Sequence, residues 1–182
     1  CIRDSSTDAH SMSGGDINGD GLDDIVIGNW NPLGGFRPVF LIQQGNGSFS
    51  VSDDTFLGRL LNLPMVNSGS TSNEGFNLLL DLHLADLNGD GLADLIAGFG
   101  HGSAHSLLFI NDDGTFDFDQ QIPLPSTAYG VDANMHLETR SVDLDSDGDL
   151  DLVLLHSRIT PYYAGTYLQL LRNDDGLFVD LT

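Results

Sequence analysis

The sequence predicts an all-β chain of three repeats, each a unit of four antiparallel strands. Two observations predict it. The segments "DINGDGLDDIVIG" (16–28), "DLNGDGLADLIAG" (86–98) and "DLDSDGDLDLVLL" (143–155) share one pattern, an Asp-rich, Gly-bearing loop that runs straight into apolar residues. Each first Asp is followed 30 to 35 residues later by a phenylalanine with a glycine two places before it, as Gly47 and Phe49, Gly114 and Phe116, Gly176 and Phe178. Glycine supplies the positive φ that a tight hairpin needs.

In order, each repeat opens on a strand A ("AHSMSGG", "LLLDLHLA", "NMHLETRSV"), passes through the acidic loop, and continues into a strand B ("DIVIGNW", "DLIAGF", "DLVLLHS"). Strands C and D follow around the Gly–Phe turn, in "VFLIQQGNGSFSV", "LLFINDDGTFDF" and "LQLLRNDDGLFVD". Four strands in meander order, recurring every 57 to 70 residues, form the pattern of a propeller blade. The blades are expected at about 9–52, 77–120 and 134–181, within a single domain covering 1–182. Helical periodicity is missing, since "LGRLLNL" is short and stopped by Pro64. The stretch "VNSGSTSNEG" (66–75) is expected to be a surface loop that widens the first spacing.

Composition narrows the function. The 182 residues, 40% of them apolar, suffice for one core. There are 25 Asp, two Glu and no Lys, so the acidity comes from a turn-former and metal ligand rather than from helix-surface residues. A formal charge of −21 repels nucleic acid and anionic membrane surfaces. No run approaches the roughly 18 apolar residues of a membrane helix. Cys1 is the only cysteine, so no disulfide forms within the chain. A start at Cys rather than Met is expected to be a processing or cloning boundary, with a lipid-modified Cys1 as the sharper alternative.

Counted from its first Asp, each loop places side-chain oxygens at positions one, three, five and nine, as D-x-[DN]-x-D-G-x-x-D. Gly21, Gly91 and Gly148 at position six allow a sharp turn that directs the carbonyl of position seven inward. Position seven is Leu22, Leu92 and Asp149, a variation expected where only the backbone contributes. Without a cation, carboxylates about 6 Å apart repel by roughly 1 kcal/mol or more per pair. All-oxygen donors with no His or Cys at ligand spacing favour calcium over zinc or copper, and so complete a cage favours it over magnesium. Position twelve decides against an EF-hand, because Ile27, Ala97 and Leu154 stand where the bidentate Glu belongs.

The pattern resembles the FG-GAP and VCBS repeats of integrin-like β-propellers, in which an Asp-rich loop between strands A and B binds calcium. The resemblance covers nearly the whole chain, roughly 9 to 181. It implies three calcium ions. Asp16, Asn18, Asp20, the Leu22 carbonyl and Asp24 would hold the first; Asp86, Asn88, Asp90, the Leu92 carbonyl and Asp94 the second; Asp143, Asp145, Asp147, the Asp149 carbonyl and Asp151 the third. The third loop, with four carboxylates, is expected to bind tightest.

No catalytic constellation stands out. A G-x-S-x-G elbow is missing, and "GFGHG" (98–102) is a poor dinucleotide fingerprint with no helix behind it. His101 and His105 read as loop residues rather than metal ligands, and His83, His136 and His156 sit singly in strand patterns. The expectation is therefore a non-enzymatic, extracellular or cell-surface protein in assembly or adhesion. Its expected partners are other copies of itself, as a ring or filament, or the remainder of a larger propeller; a glycan or a cell-surface protein are further candidates. The alternative is a lectin-like propeller, or the non-catalytic part of a secreted polysaccharide-active enzyme, with Trp30, Tyr129, Tyr162 or Tyr163 stacking on sugar. Asn46-Gly47-Ser48 is a glycosylation sequon in a hairpin turn.

Overall fold

A computed structural model describes residues 8–31, 35–36, 39–52, 79–100, 106–130, 134–158, 161 and 163–182. The expected loop at 66–75, His101, His105 and Tyr162 lie outside them. The described chain folds into three antiparallel sheets of four or five strands and a separate two-stranded ribbon, with one 3-10 turn and no α-helix. The first sheet runs β1 (Asp8–Gly15), β2 (Asp24–Asn31), β4 (Val39–Gln43), β5 (Phe49–Ser52), with the two-residue β3 (Gly35–Phe36) pairing beside β4 on β2. The third is a clean meander of β12 (Asn134–Val142), β13 (Asp151–Arg158), β14 (Thr166–Asp174) and β15 (Leu177–Asp180).

The second sheet departs from expectation. Its order is β6 (Leu79–Ala85), β7 (Asp94–Phe99), β8 (Leu107–Phe109), β11 (Ile122–Pro123), while the Gly114 hairpin, β9 (Asn111–Asp112) with β10 (Thr115–Phe116), stands apart as a two-stranded ribbon. The reason is local. Asp117 accepts a bond from the Asp119 amide at 2.9 Å and caps a 3-10 turn over Phe118–Gln120. Strand D is thereby interrupted, and the chain rejoins β8 only at Ile122 opposite Leu108. The ribbon's turn has positive φ at both Asp113 and Gly114, as Asp175 and Gly176 do in the third sheet, the signature of a type I′ Asp-Gly hairpin.

Alternation along β7 explains how the sheets stack. Leu95 and Ala97 face the first sheet, in a core with Val26, Phe40 and Ile17. Ile96 faces the third sheet, in a core with Leu152, Leu154 and Leu171. The middle sheet is buried on both sides, and each fully buried Leu or Ile contributes roughly 1.5–3 kcal/mol. The hairpin phenylalanines reach back to the preceding sheet. Phe116 stacks on Phe40 with ring centroids 6.1 Å apart, and Phe178 joins Leu108 in the second core. Gly98 has a packing reason of its own, because a Cβ there would lie 2.6 Å from the His136 ring.

Candidate metal centres

The three acidic loops share a hydrogen-bond frame that begins with the first Asp. Asp16 accepts from the amides of Gly19 and Gly21, both at 2.8 Å, and Asp86 from those of Gly89 and Gly91 at 2.8 and 2.9 Å. Asp143 accepts in the same way from Ser146 and Gly148 at 2.6 and 3.2 Å. The position-four residue lies in the left-handed region each time, with Ser146 (φ 68°) standing where the other loops have glycine. Position-seven amides donate to position-five carboxylates, Leu22 to Asp20 at 2.9 Å, Leu92 to Asp90 at 2.8 Å and Asp149 to Asp147 at 2.9 Å.

Position nine joins the loop to the sheet. Asp24, Asp94 and Asp151 are fully buried, and each uses both carboxylate oxygens. One oxygen accepts from the position-two amide: Ile17 at 3.1 Å, Leu87 at 2.9 Å, Leu144 at 2.6 Å. The other accepts from the end of strand C: Gln43, Asn111 and Asn173, each at 2.8 Å. Burial, reinforced by Asp90 and Asp86 and opposed by the Asn111 and Leu87 amides, pushes the Asp94 carboxyl up to about 6. Burial likewise raises Asp24 against the pull of the Gln43 and Ile17 amides. A cation would reverse both shifts.

Only the third loop, among the described residues, brings three carboxylates together. Ligand oxygens of Asp143, Asp145 and Asp151 lie within 4.8 Å of one another. Asp147 lies outside that trio, with its Oδ1 on the Asp149 amide. In the first two loops position three is Asn18 or Asn88, whose side-chain amide donates to Asp20 at 3.3 Å or Asp90 at 2.9 Å, so a neutral group sits where the third loop has Asp145. Local desolvation and then Asp147 raise the Asp145 carboxyl, partly offset by Arg172, whose guanidinium grips Asp174 at 2.6 and 2.8 Å. The donors are all oxygen and the carboxylates converge, which fits a hard divalent cation.

Two sets of residues escaped the sequence reading. The first is the asparagine that ends strand C. Asn111 donates across the interface to the Ile17 carbonyl at 2.8 Å and to its own loop's Ala93 carbonyl at 3.1 Å. Asn173 repeats this with the Leu87 and Leu150 carbonyls at 2.8 and 3.1 Å. The recurring "NDDG" at 111–114 and 173–176 was the available signal.

The second set is a buried polar seam between the second and third sheets. His136 bonds Ser106 at 2.5 Å and Thr139 at 2.8 Å, and His156 bonds Gln169 at 3.1 Å. Asp81 lies 3.6 Å from His136, but burial drives both toward their neutral forms, so this is a polar contact and not an ion pair. Ser106, His136 and Asp81 are all buried, which gives them the character of packing groups rather than an open catalytic triad. Of the aromatic candidates, Tyr129 is already engaged, by Tyr167 at 5.4 Å and by the Arg158 guanidinium 4.4 Å over its ring. Tyr163 is exposed, and Trp30 is in β2.

Acid should weaken the fold through this seam. Burial lowers His83 to about 4, His136 to about 3 and His156 to about 4, so all three stay neutral in the folded chain after their unfolded counterparts protonate near 6.5. Their stabilisation is present above pH 6.5 and is lost as pH falls toward 4. Asp81 and Asp94, both raised to about 6, act oppositely, taking up protons on folding between about 6 and 3.8. Asp24 and Asp145, also raised, add to that offset, so the histidine contribution is read as the difference in slope between the unaltered chain and a histidine variant. Urea unfolding at pH 7, 6 and 5 in chelator measures this, and His156→Gln should flatten the slope.

A profile described as an FG-GAP-like repeat matches the chain twice, over residues 16–97 and 86–154. The first match runs from Asp16 into β7, and the second from Asp86 into β13, so both span from one acidic loop to the strand after the next. No curated protein matches the chain. With the two matches together covering residues 16 to 154, the chain belongs to the FG-GAP-like repeat family.

Proposed function

We propose that this chain is an extracellular, calcium-stapled repeat protein that acts in assembly or adhesion and not in catalysis. Its three sheets are read as propeller blades. The observation that supports this is the frame repeated in all three loops, in which a buried position-nine Asp ties the loop to strand C while the other donors stay at the surface. Asp16, Asn18, Asp20 and Asp24 would hold one ion, with the equivalent residues of the other loops holding two more. Calcium would supply charge neutralisation, lifting the formal charge of −21 to −15 with three ions, and would pin the two strands flanking each loop. Sites with dissociation constants on the order of 0.1–1 mM suffice for extracellular modules.

The test is thermal unfolding in millimolar calcium and then in excess EDTA. Binding to the folded state alone raises stability by about 0.4–1.4 kcal/mol for each site at one to ten times its Kd, and three sites add. Melting should therefore fall by several degrees on chelation and recover on adding calcium. An unchanged melting temperature in EDTA would refute the structural role.

A further inference from the structure

Among the described residues, the outer faces of the first and third sheets are the two uncovered halves of an interface that the chain builds twice internally. In each internal interface the earlier sheet offers a receiving set and the later sheet an entering set. The first sheet receives with Ile17, Val26 and Phe40, and the second with Leu87, Ile96 and Leu108, all buried at 0–5% exposure. Ile17 and Leu87 are both the position-two residue of their loops. The third sheet carries the same receiving set in Leu144, Val153 and Leu170, yet Leu144 is 41% exposed and neighbouring Leu168 50%.

The entering set shows the converse. Phe116 and Phe178, each 9% exposed, press on the preceding sheet, whereas their counterpart Phe49, with no sheet before its own among the described residues, is 44% exposed. Met12 stands four residues before the first Asp of its loop, as do buried Leu82 and Thr139, and is 71% exposed. Met12, Phe49 and Leu144 are thus exposed at positions that are covered wherever two sheets meet.

Polar features of the interface recur as well. The carbonyls of Ile17 and Leu87 accept from the asparagines of the following sheet, which makes the Leu144 carbonyl the third acceptor in the series. Gln43 occupies the donors' register, its amide bonded to Asp24 as those of Asn111 and Asn173 are to Asp94 and Asp151. One substitution distinguishes the free receiving face. Where Gly28 and Gly98 give room to the following sheet, the third sheet has Leu155. Leu155 adds a half-buried apolar side chain to that face.

From this we infer that the first sheet of one copy docks head to tail on the third sheet of a second copy, Phe49 seating beside Leu144 and Leu170 as Phe116 seats beside Ile17 and Phe40. The inference rests on reading the sheets as stacking blades, and its occupant is a second copy because the two exposed faces complement each other in residue class, the entering set of the first sheet matching the receiving set of the third. Unlike faces make the contact heterologous, so it propagates into a ring or a filament.

The experiment is sedimentation of the full chain in millimolar calcium at about 100 µM, alongside Phe49→Asp and Leu144→Asp, with Met12→Asp and Leu168→Asp as second variants at more exposed positions. The unaltered chain should exceed its 19.5 kDa monomer mass, and each variant alone should sediment near that mass or stop short of the parent. An equimolar mixture of Phe49→Asp and Leu144→Asp should form dimers and nothing larger, since each retains the face the other has lost. A monomeric parent, or an oligomer indifferent to all four substitutions, would overturn the inference. Calcium isotherms on the same samples separate the readings: binding without assembly sinks the docking inference alone, and assembly without binding sinks the calcium reading alone.

Discussion

Asp94→Ala should destabilise the chain more than any other single change in the loops, by about 2–5 kcal/mol in the absence of calcium. The carboxylate is fully buried and accepts from the Leu87 and Asn111 amides at 2.9 and 2.8 Å. Removing it strands two buried donors, each worth roughly 1–3 kcal/mol when left unpaired. The charge is itself disfavoured by burial, which holds its pKa up near 6, and losing that penalty offsets part of the damage. Asp90→Ala provides the contrast. Asp90 is exposed, so its loss should leave metal-free stability within about 1 kcal/mol while removing the second loop's share of the calcium-dependent gain. Urea unfolding with and without calcium measures both.

Asn111→Ala and Asn173→Ala form the second pair with large effects. Each side chain is fully buried and joins two sheets through carbonyls 86 to 94 residues away in sequence. Truncation leaves two carbonyls without their donor and opens a small cavity, for an expected loss of about 2–4 kcal/mol each. Asn173→Ala should cost more, because its Oδ1 also accepts from the Gly176 amide at 2.7 Å and holds the hairpin turn. The two act in separate interfaces, so the double variant should lose close to the sum. Asn88→Ala, at an exposed loop position, is the control that should change little in EDTA.

What the sequence made legible was whatever is written in consecutive residues. The apolar run of "DLIAGF" became β7 with its two faces in two cores, and the position-nine Asp stood at the start of strand B as its spacing required. The Asp-Gly hairpins at 113–114 and 175–176 carried their turn type in the dipeptide. Long-range chemistry was not legible. Ser106, His136 and Asp81 meet only because two sheets stack, and a lone His in a strand has no local mark that says what it will face. The broken strand D of the second sheet was missed for a different reason. Asp117 competes for the backbone as a cap, and "GTFDF" reads equally well as an unbroken strand until that cap is placed. The unequal loops follow from a single atom's difference: Asn18 and Asn88 donate to their neighbours, whereas Asp145 can only accept, and its carboxylate lies with those of Asp143 and Asp151.

The central claim is that each acidic loop holds one calcium ion. The most direct measurement is calcium bound per chain at saturation, by isothermal titration of metal-free protein or by metal analysis after equilibrium dialysis. The account predicts three ions per chain, the third loop filling first, and a loss of affinity from Asp147→Ala greater than that from Asp20→Ala. Fewer than three ions per chain at saturation would contradict it, and a single ion would confine the site to the loop of Asp143, Asp145 and Asp151.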